Sequence, residues 1–138
     1  MIGKRIDEIK LGDFEIYVKK ITEKEVELFG EVSGDMNPAH FDSEYAAGTI
    51  FKKRIAHGML CASLFSTILG TKLPGYGTIY LSQDIKFMAP VFLDDELTAK
   101  ATVIEIIQEK NRLILETITT NQDGVVVIKG QAVVMPPK

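Results

Sequence analysis

Met59-Leu60-Cys61-Ala62-Ser63-Leu64-Phe65-Ser66-Thr67-Ile68-Leu69 places apolar residues around nearly the whole circumference of a helix. A helix that is apolar all round is a buried one. This run is too short and too rich in small polar residues to span a bilayer, so it reads as the centre of the protein's own core. Ala62, Ser63 and Ser66 are small enough to let a sheet approach closely. Gly70 supplies a C-terminal stop, and Pro74-Gly75 marks a loop beyond it.

Outward from this helix the pattern changes to strands. Ile79, Leu81, Ile85 and Phe87 keep a period of two, with Gln83 in phase as a polar exception. Pro90 and Asp94-Asp95 interrupt the run, and Leu97, Ala99, Ala101 and Val103 form the next strand. A turn at Glu109-Lys110-Asn111 leads into Leu113, Leu115, Thr117 and Thr119. Asn121-Gln122-Asp123-Gly124 is a hairpin signal, Asp-Gly supplying positive φ angles, and Val125 to Val134 is the last strand. Before the helix, Phe14 to Ile21 alternates as a first strand. Thr22 then stands three residues ahead of Glu25, a capping box for a helix with Val26 and Phe29 inward and an end near Ser33-Gly34. Asp42 or Ser43 caps a further short turn that Gly48 interrupts. One buried helix beside a largely antiparallel sheet is an α+β layer arrangement. No repeat, linker or low-complexity tract divides the 138 residues, so residues 1–138 read as a single domain.

Composition excludes several classes of function. A formal net charge of −3 gives no electrostatic reason to bind nucleic acid. Cys61 is the only cysteine, so no intrachain disulfide forms, and its apolar setting marks it as a small buried hydrophobe. Met1-Ile2-Gly3-Lys4-Arg5 turns charged before an apolar region develops, which argues against a secretory signal. The expectation is a cytoplasmic protein with no membrane partner.

The chemistry concentrates in Phe29-Gly30-Glu31-Val32-Ser33-Gly34-Asp35-Met36-Asn37-Pro38-Ala39-His40. Pro38 disfavours the α conformation at Asn37, and Gly34 permits a sharp bend beside Asp35. A turn here lets a carboxylate and an imidazole, five positions apart, converge on one volume and share acid–base work. The ordinary alternative is a helix-ending loop in which Asp35 caps and His40 packs.

Ser33-Gly34-Asp35-Met36-Asn37-Pro38-Ala39-His40, followed after seventeen residues by Gly58-Met59-Leu60, resembles the MaoC-like family of (R)-specific enoyl-CoA hydratases. The likeness is to its short members that supply polyhydroxyalkanoate synthesis, and it continues through Ala62 to Ser66 and Ile79 to Phe87. The resemblance implies a hot-dog fold, with a long antiparallel sheet wrapped around the buried helix. It also implies a homodimer with acyl-CoA as substrate and no cofactor. By resemblance, Asp35 and His40 hold the water that adds across the C2=C3 bond of a trans-2-enoyl thioester. Asp35 is favoured as the base, His40 as the group that orients the water and supplies a proton to C2. The backbone N–H of Gly58 is carried over as the donor to the thioester oxygen, and a helix N-terminus suits that task. Ser66 and Asn37 are carried over as supporting residues. His57 reads as structural, holding the turn before the helix.

Lys52, Lys53 and Arg54 form a short basic run, either a solvated face or a contact for coenzyme A phosphates. Asp35, His40 and His57 lack tight metal-ligand spacing, and the chemistry implied needs no metal. Three other readings stay open: a 3-hydroxyacyl-[acyl-carrier-protein] dehydratase, a hot-dog acyl-CoA thioesterase, and a non-catalytic acyl-CoA-binding module.

Overall fold

The structure, a computed structural model, describes residues 2–138. Six antiparallel strands form one sheet: β1 (Phe14–Lys20), β2 (Ile79–Gln83), β3 (Lys86–Phe87), β4 (Glu96–Ile107), β5 (Arg112–Thr120) and β6 (Val126–Met135). Their order is β1-β4-β5-β6-β2, with β3 also paired to β6. Four α-helices precede β2: α1 (Glu23–Ser33), α2 (Pro38–Phe41), α3 (Ser43–Ala47) and α4 (Gly58–Thr71).

The fold forms around α4, which packs against β4, β1 and β2. Its inward face carries Cys61, Leu64, Phe65, Ile68 and Leu69, all buried. Each large apolar side chain removed from water in this way contributes about 1.5–3 kcal/mol. The facing strands meet it in strict alternation: Leu97, Ala99, Ala101 and Val103 on β4, then Leu113, Leu115, Thr117 and Thr119 on β5, are all buried. This is the hot-dog arrangement, an antiparallel sheet curled around one central helix.

Local signals place the first elements. The Glu25 carboxylate accepts the Thr22 N–H at 2.7 Å and also its hydroxyl, fixing the start of α1. Lys19 reaches the same carboxylate from β1 at 2.9 Å. Gly34, at φ 80°, ends the helix. Asp42 caps α3 by accepting the N–H groups of Glu44 and Tyr45. At the hairpin, Gly124 takes φ 78°, while Asn121 Oδ1 accepts the Asp123 and Val125 N–H groups.

Three expectations are corrected. Gly70 does not stop α4, which runs on to Thr71 because the backbone bonds continue through Lys72 N–H to the Ile68 carbonyl. Nor is α4 buried all round: Met59, Ser63 and Ser66 form an exposed stripe facing a groove beside β2. The period-two run from Ile79 to Phe87 is not one strand. It breaks at Asp84-Ile85, where Asp84 Oδ1 accepts the Gln131 N–H at 3.1 Å in place of a backbone carbonyl, while the Gln83 side chain donates to the Asp84 carbonyl at 2.8 Å and to Thr117 Oγ1 at 2.9 Å. The polar exception in that pattern thus satisfies a buried threonine, and the broken segment sends Phe87 across towards α4.

No helix among the described residues is long and apolar enough to cross a membrane.

Candidate active site

The turn after α1 is built from side chains bonded to backbone. Ser33 Oγ donates to the Phe29 carbonyl at 2.6 Å and accepts the Asp35 N–H at 3.1 Å. Asp35 Oδ1 accepts the Asn37 N–H at 3.2 Å, and Asn37 Oδ1 accepts the Ala39 N–H at 3.1 Å, capping α2. Pro38 then occupies the first helical position, where its missing N–H has no cost. The sequence foretells a turn here, and the turn is completed by the single helical turn α2, which delivers His40 to the interior.

His40 is held at both its backbone and its ring. Arg54 Nε donates to the His40 carbonyl at 2.7 Å, and Arg54 Nη1 pairs with Glu23 at 2.7 Å. The ring Nδ1 lies 2.7 Å from the Ile55 carbonyl oxygen. A carbonyl only accepts, so Nδ1 carries the hydrogen. Nε2 is therefore the atom through which His40 exchanges a proton with its surroundings. The carboxylate of Asp35, exposed, and the rings of His40 and His57, both buried, bring donor atoms within 4.8 Å of one another.

These residues line a cavity of about 450 Å³, whose walls also include Phe51, Ile55, Met59, Cys61, Phe87, Met88 and Val91. Burial pushes the Cys61 thiol up to about 12, so it serves as apolar wall and not as nucleophile. Gly58, the first residue of α4, lines the same cavity. The first N–H groups of a helix lack intrahelical acceptors and stand at its positive end, so the Gly58 N–H has no acceptor within α4. A carboxylate, an imidazole Nε2 and a free helical N–H around one apolar pocket suit proton transfer beside a carbonyl whose oxygen gathers charge.

The remaining sequence candidates divide. Asn37 shapes the Asp35 turn, as just described. Ser66 is exposed in a separate groove with Ala62, Ser63, Tyr80 and Leu81; only Met59 lines both spaces. Within the basic run, Arg54 is committed to His40 and Glu23, and the Lys53 ammonium lies 4.3 Å from the Phe92 ring centroid. Lys52 is exposed on a turn at φ 68°. Sequence reasoning did not find Phe87 as a neighbour of Gly58, or the reach of His57 to Asp35. Both contacts join distant segments, and no local pattern announces them.

The model of the MaoC like domain matches residues 13–126. The chain is 47% identical over 131 residues to the (R)-specific enoyl-CoA hydratase of Rhodospirillum rubrum, spanning 95% of this chain and 90% of that one. Among solved structures, the unliganded R-hydratase PhaJ1 from Pseudomonas aeruginosa superposes with a TM-score of 0.93 at 44% identity, covering 99% of this chain and 87% of that one. The (R)-hydratase from Aeromonas caviae involved in PHA biosynthesis gives 0.91 at 42% identity, with 94% and 98% covered.

Proposed function

The chain belongs to the MaoC-like domain family, and from that premise we propose that it is an (R)-specific enoyl-CoA hydratase adding water to trans-2-enoyl-CoA. The observation that carries the reading is the convergence of the Asp35 carboxylate and the His40 ring in the wall of the apolar cavity that Gly58 also lines.

Water is a weak nucleophile, so a base takes its proton as the oxygen bonds to C3. The C2=C3 electrons move towards the thioester, and charge collects on its oxygen. The Gly58 N–H meets that oxygen, a kind of contact worth about 10²–10³ in turnover. C2 then takes a proton and the thioester carbonyl reforms. Asp35 acts as the base through the oxygen that Asn37 leaves free. The proton it takes passes to the vacant Nε2 of His40 and from there to C2, the Nδ1–H staying on the Ile55 carbonyl throughout. Oxygen and proton reach the same face of the double bond, a syn addition, and the (R) configuration at C3 follows from which face of the enoyl group the site turns towards the water. Each of the two proton transfers contributes roughly 10²–10⁴-fold.

The enzyme works as a homodimer. Support comes from β2, an edge of the sheet with Ile79 53% and Leu81 42% exposed, beside the groove that holds Met59 and Ser66. Exposed apolar edges of this kind are seldom left uncovered. A second copy across β2 puts Ser66 at an interface, where it serves the site as a supporting hydroxyl.

The direct test follows loss of the conjugated enoyl absorbance with crotonyl-CoA and longer homologues, in the presence of a chelator, with chiral analysis of the product. Hydration to the (R) product is expected. Release of free thiol without hydration would mark a thioesterase and end this reading.

A further inference from the structure

His57 was expected to hold only its own turn, yet it touches all three parts of the site. Its ring is 2% exposed, and it is the residue from which α4 starts. Nε2 lies 2.9 Å from the main-chain carbonyl oxygen of Asp35, twenty-two residues away. Because that oxygen only accepts, Nε2 carries the hydrogen. One face of the ring lies against His40, with centroids 3.9 Å apart and planes inclined by 31°. Phe29 and Phe41 pack on the ring at 4.8 and 5.5 Å. Nδ1 is buried without a hydrogen-bond partner.

A second proton on His57 would be a buried N–H without an acceptor, so the ring remains neutral in its Nε2–H form. His40 holds the opposite tautomer, with hydrogen on Nδ1. Two stacked imidazoles thus have their protons assigned by two different backbone carbonyls.

We propose that His57 is a positioning residue for the hydration reaction, clamping the Asp35 backbone through Nε2–H and backing the His40 ring with its own. The consequence is geometric. Asp35 and His40 hang from the α1–α2 turn, whereas the Gly58 N–H belongs to α4. Water must be delivered to C3 while the thioester oxygen rests on Gly58, so the two segments have to hold a fixed distance. His57 is covalently adjacent to Gly58 and hydrogen-bonded to Asp35, and it fixes that distance with one side chain. A misplacement of about 1 Å between reacting groups costs on the order of 10²-fold in rate. The role rests on the hydratase reading, because only turnover of that substrate needs the two segments in register.

Two substitutions separate the contacts. His57→Phe keeps a ring against His40 and removes the donor to Asp35. His57→Gln places an amide N–H near the position of Nε2 and removes the ring. With crotonyl-CoA, His57→Phe is expected to lose about 10–100-fold in kcat, with KM within about threefold of wild type. His57→Gln is expected to regain most of that loss. Equal kcat in wild type and folded His57→Phe overturns the clamp, as does a loss confined to KM.

A readout without turnover covers the case in which a variant fails to fold or the substrate is wrong. The chain has only two histidines, so long-range ¹H–¹⁵N spectra of the wild-type rings contain four nitrogens and assign readily. One ring is expected as the Nε2–H tautomer and the other as Nδ1–H. Both rings in the same tautomer would refute the arrangement whatever the enzyme hydrates. Wild-type protein with the two opposite tautomers and no hydratase activity would instead refute the functional reading and leave the clamp standing.

Discussion

Replacing Gly58 by alanine sets a small gain against a larger obstruction. A Cβ at this position would stand 2.6, 2.9 and 3.0 Å from Cε1, Cδ1 and Cζ of Phe87, closer than real contacts allow. The gain is helix propensity, at most about 1 kcal/mol for Gly→Ala and less in the first turn. The obstruction is overpacking, commonly about 1–3 kcal/mol when neighbours cannot give way. Phe87 is 55% exposed, so its ring has room to swing outward and the cost falls towards the lower end. The net loss of stability is expected below about 2 kcal/mol, a fall in Tm of less than about 8 °C for a chain of this size. Turnover suffers more. The methyl group enters the space where the thioester must meet the Gly58 N–H, and loss of such a donor costs about 10²–10³ in kcat. Calorimetry and steady-state kinetics on crotonyl-CoA separate the two quantities. Adding Phe87→Ala to Gly58→Ala is expected to restore Tm but not kcat, because the ring causes the strain while the methyl still blocks the donor. A folded Gly58→Ala enzyme with wild-type kcat/KM would refute the role of this glycine outright.

Asp35→Asn and His40→Gln each keep approximate shape while abolishing proton exchange near neutral pH, and each is expected to remove most activity with little change in KM. The double variant is expected to be little worse than the poorer single, since both groups act on one water; additive losses by steady-state kinetics would refute shared action. Stability is expected to fall in two stages on acidification. Burial lowers the His57 pKa below its ordinary 6.5, so the unfolded chain takes up that proton first and Tm drops as pH falls below about 6.5; in His57→Phe this upper stage is expected to vanish. The bond from the Thr22 hydroxyl, and then Lys19, hold Glu25 down at about 2 against an ordinary 4.5, so its contribution is present above 4.5 and is lost as pH falls towards 2; Glu25→Gln is expected to remove this lower stage in the same melting series. Leu81→Lys at the exposed edge of β2 is expected to shift the protein towards monomer in sedimentation and to lower activity with it, and a fully active monomer would show the site complete within one chain.

The features legible in the sequence are those whose cause is local. Thr22 and Glu25 are three residues apart, Gly34 follows the last helical residue, and Asp123-Gly124 lies between two alternating runs; in each case the residues that determine the conformation are neighbours in the chain. The inward positions of β4 and β5 are legible for the same reason, since alternation within each strand marks Leu97, Ala99 and Ala101, and Leu113 and Leu115, as one face, and that face is buried. The errors arise where a residue answers to something distant. Gly70 has the conformational freedom to end a helix, but the backbone bonds simply run past it. The run from Ile79 breaks just after Gln83, where Asp84 Oδ1 accepts the N–H of Gln131, forty-seven residues away. Phe14, Ile16 and Val18 alternate as faithfully as any core strand and yet lie on the exposed side of β1, since a period of two states that there are two faces and not which one is inside. The site divides along the same line. Asp35 and His40 belong to one short turn, and their convergence follows from Gly34, Asn37 and Pro38. The ring of His57 and that of Phe87 reach the site only after α4 and the broken β2–β3 segment have packed, so the sequence names the groups proposed to move protons while the fold supplies those proposed to keep them in place.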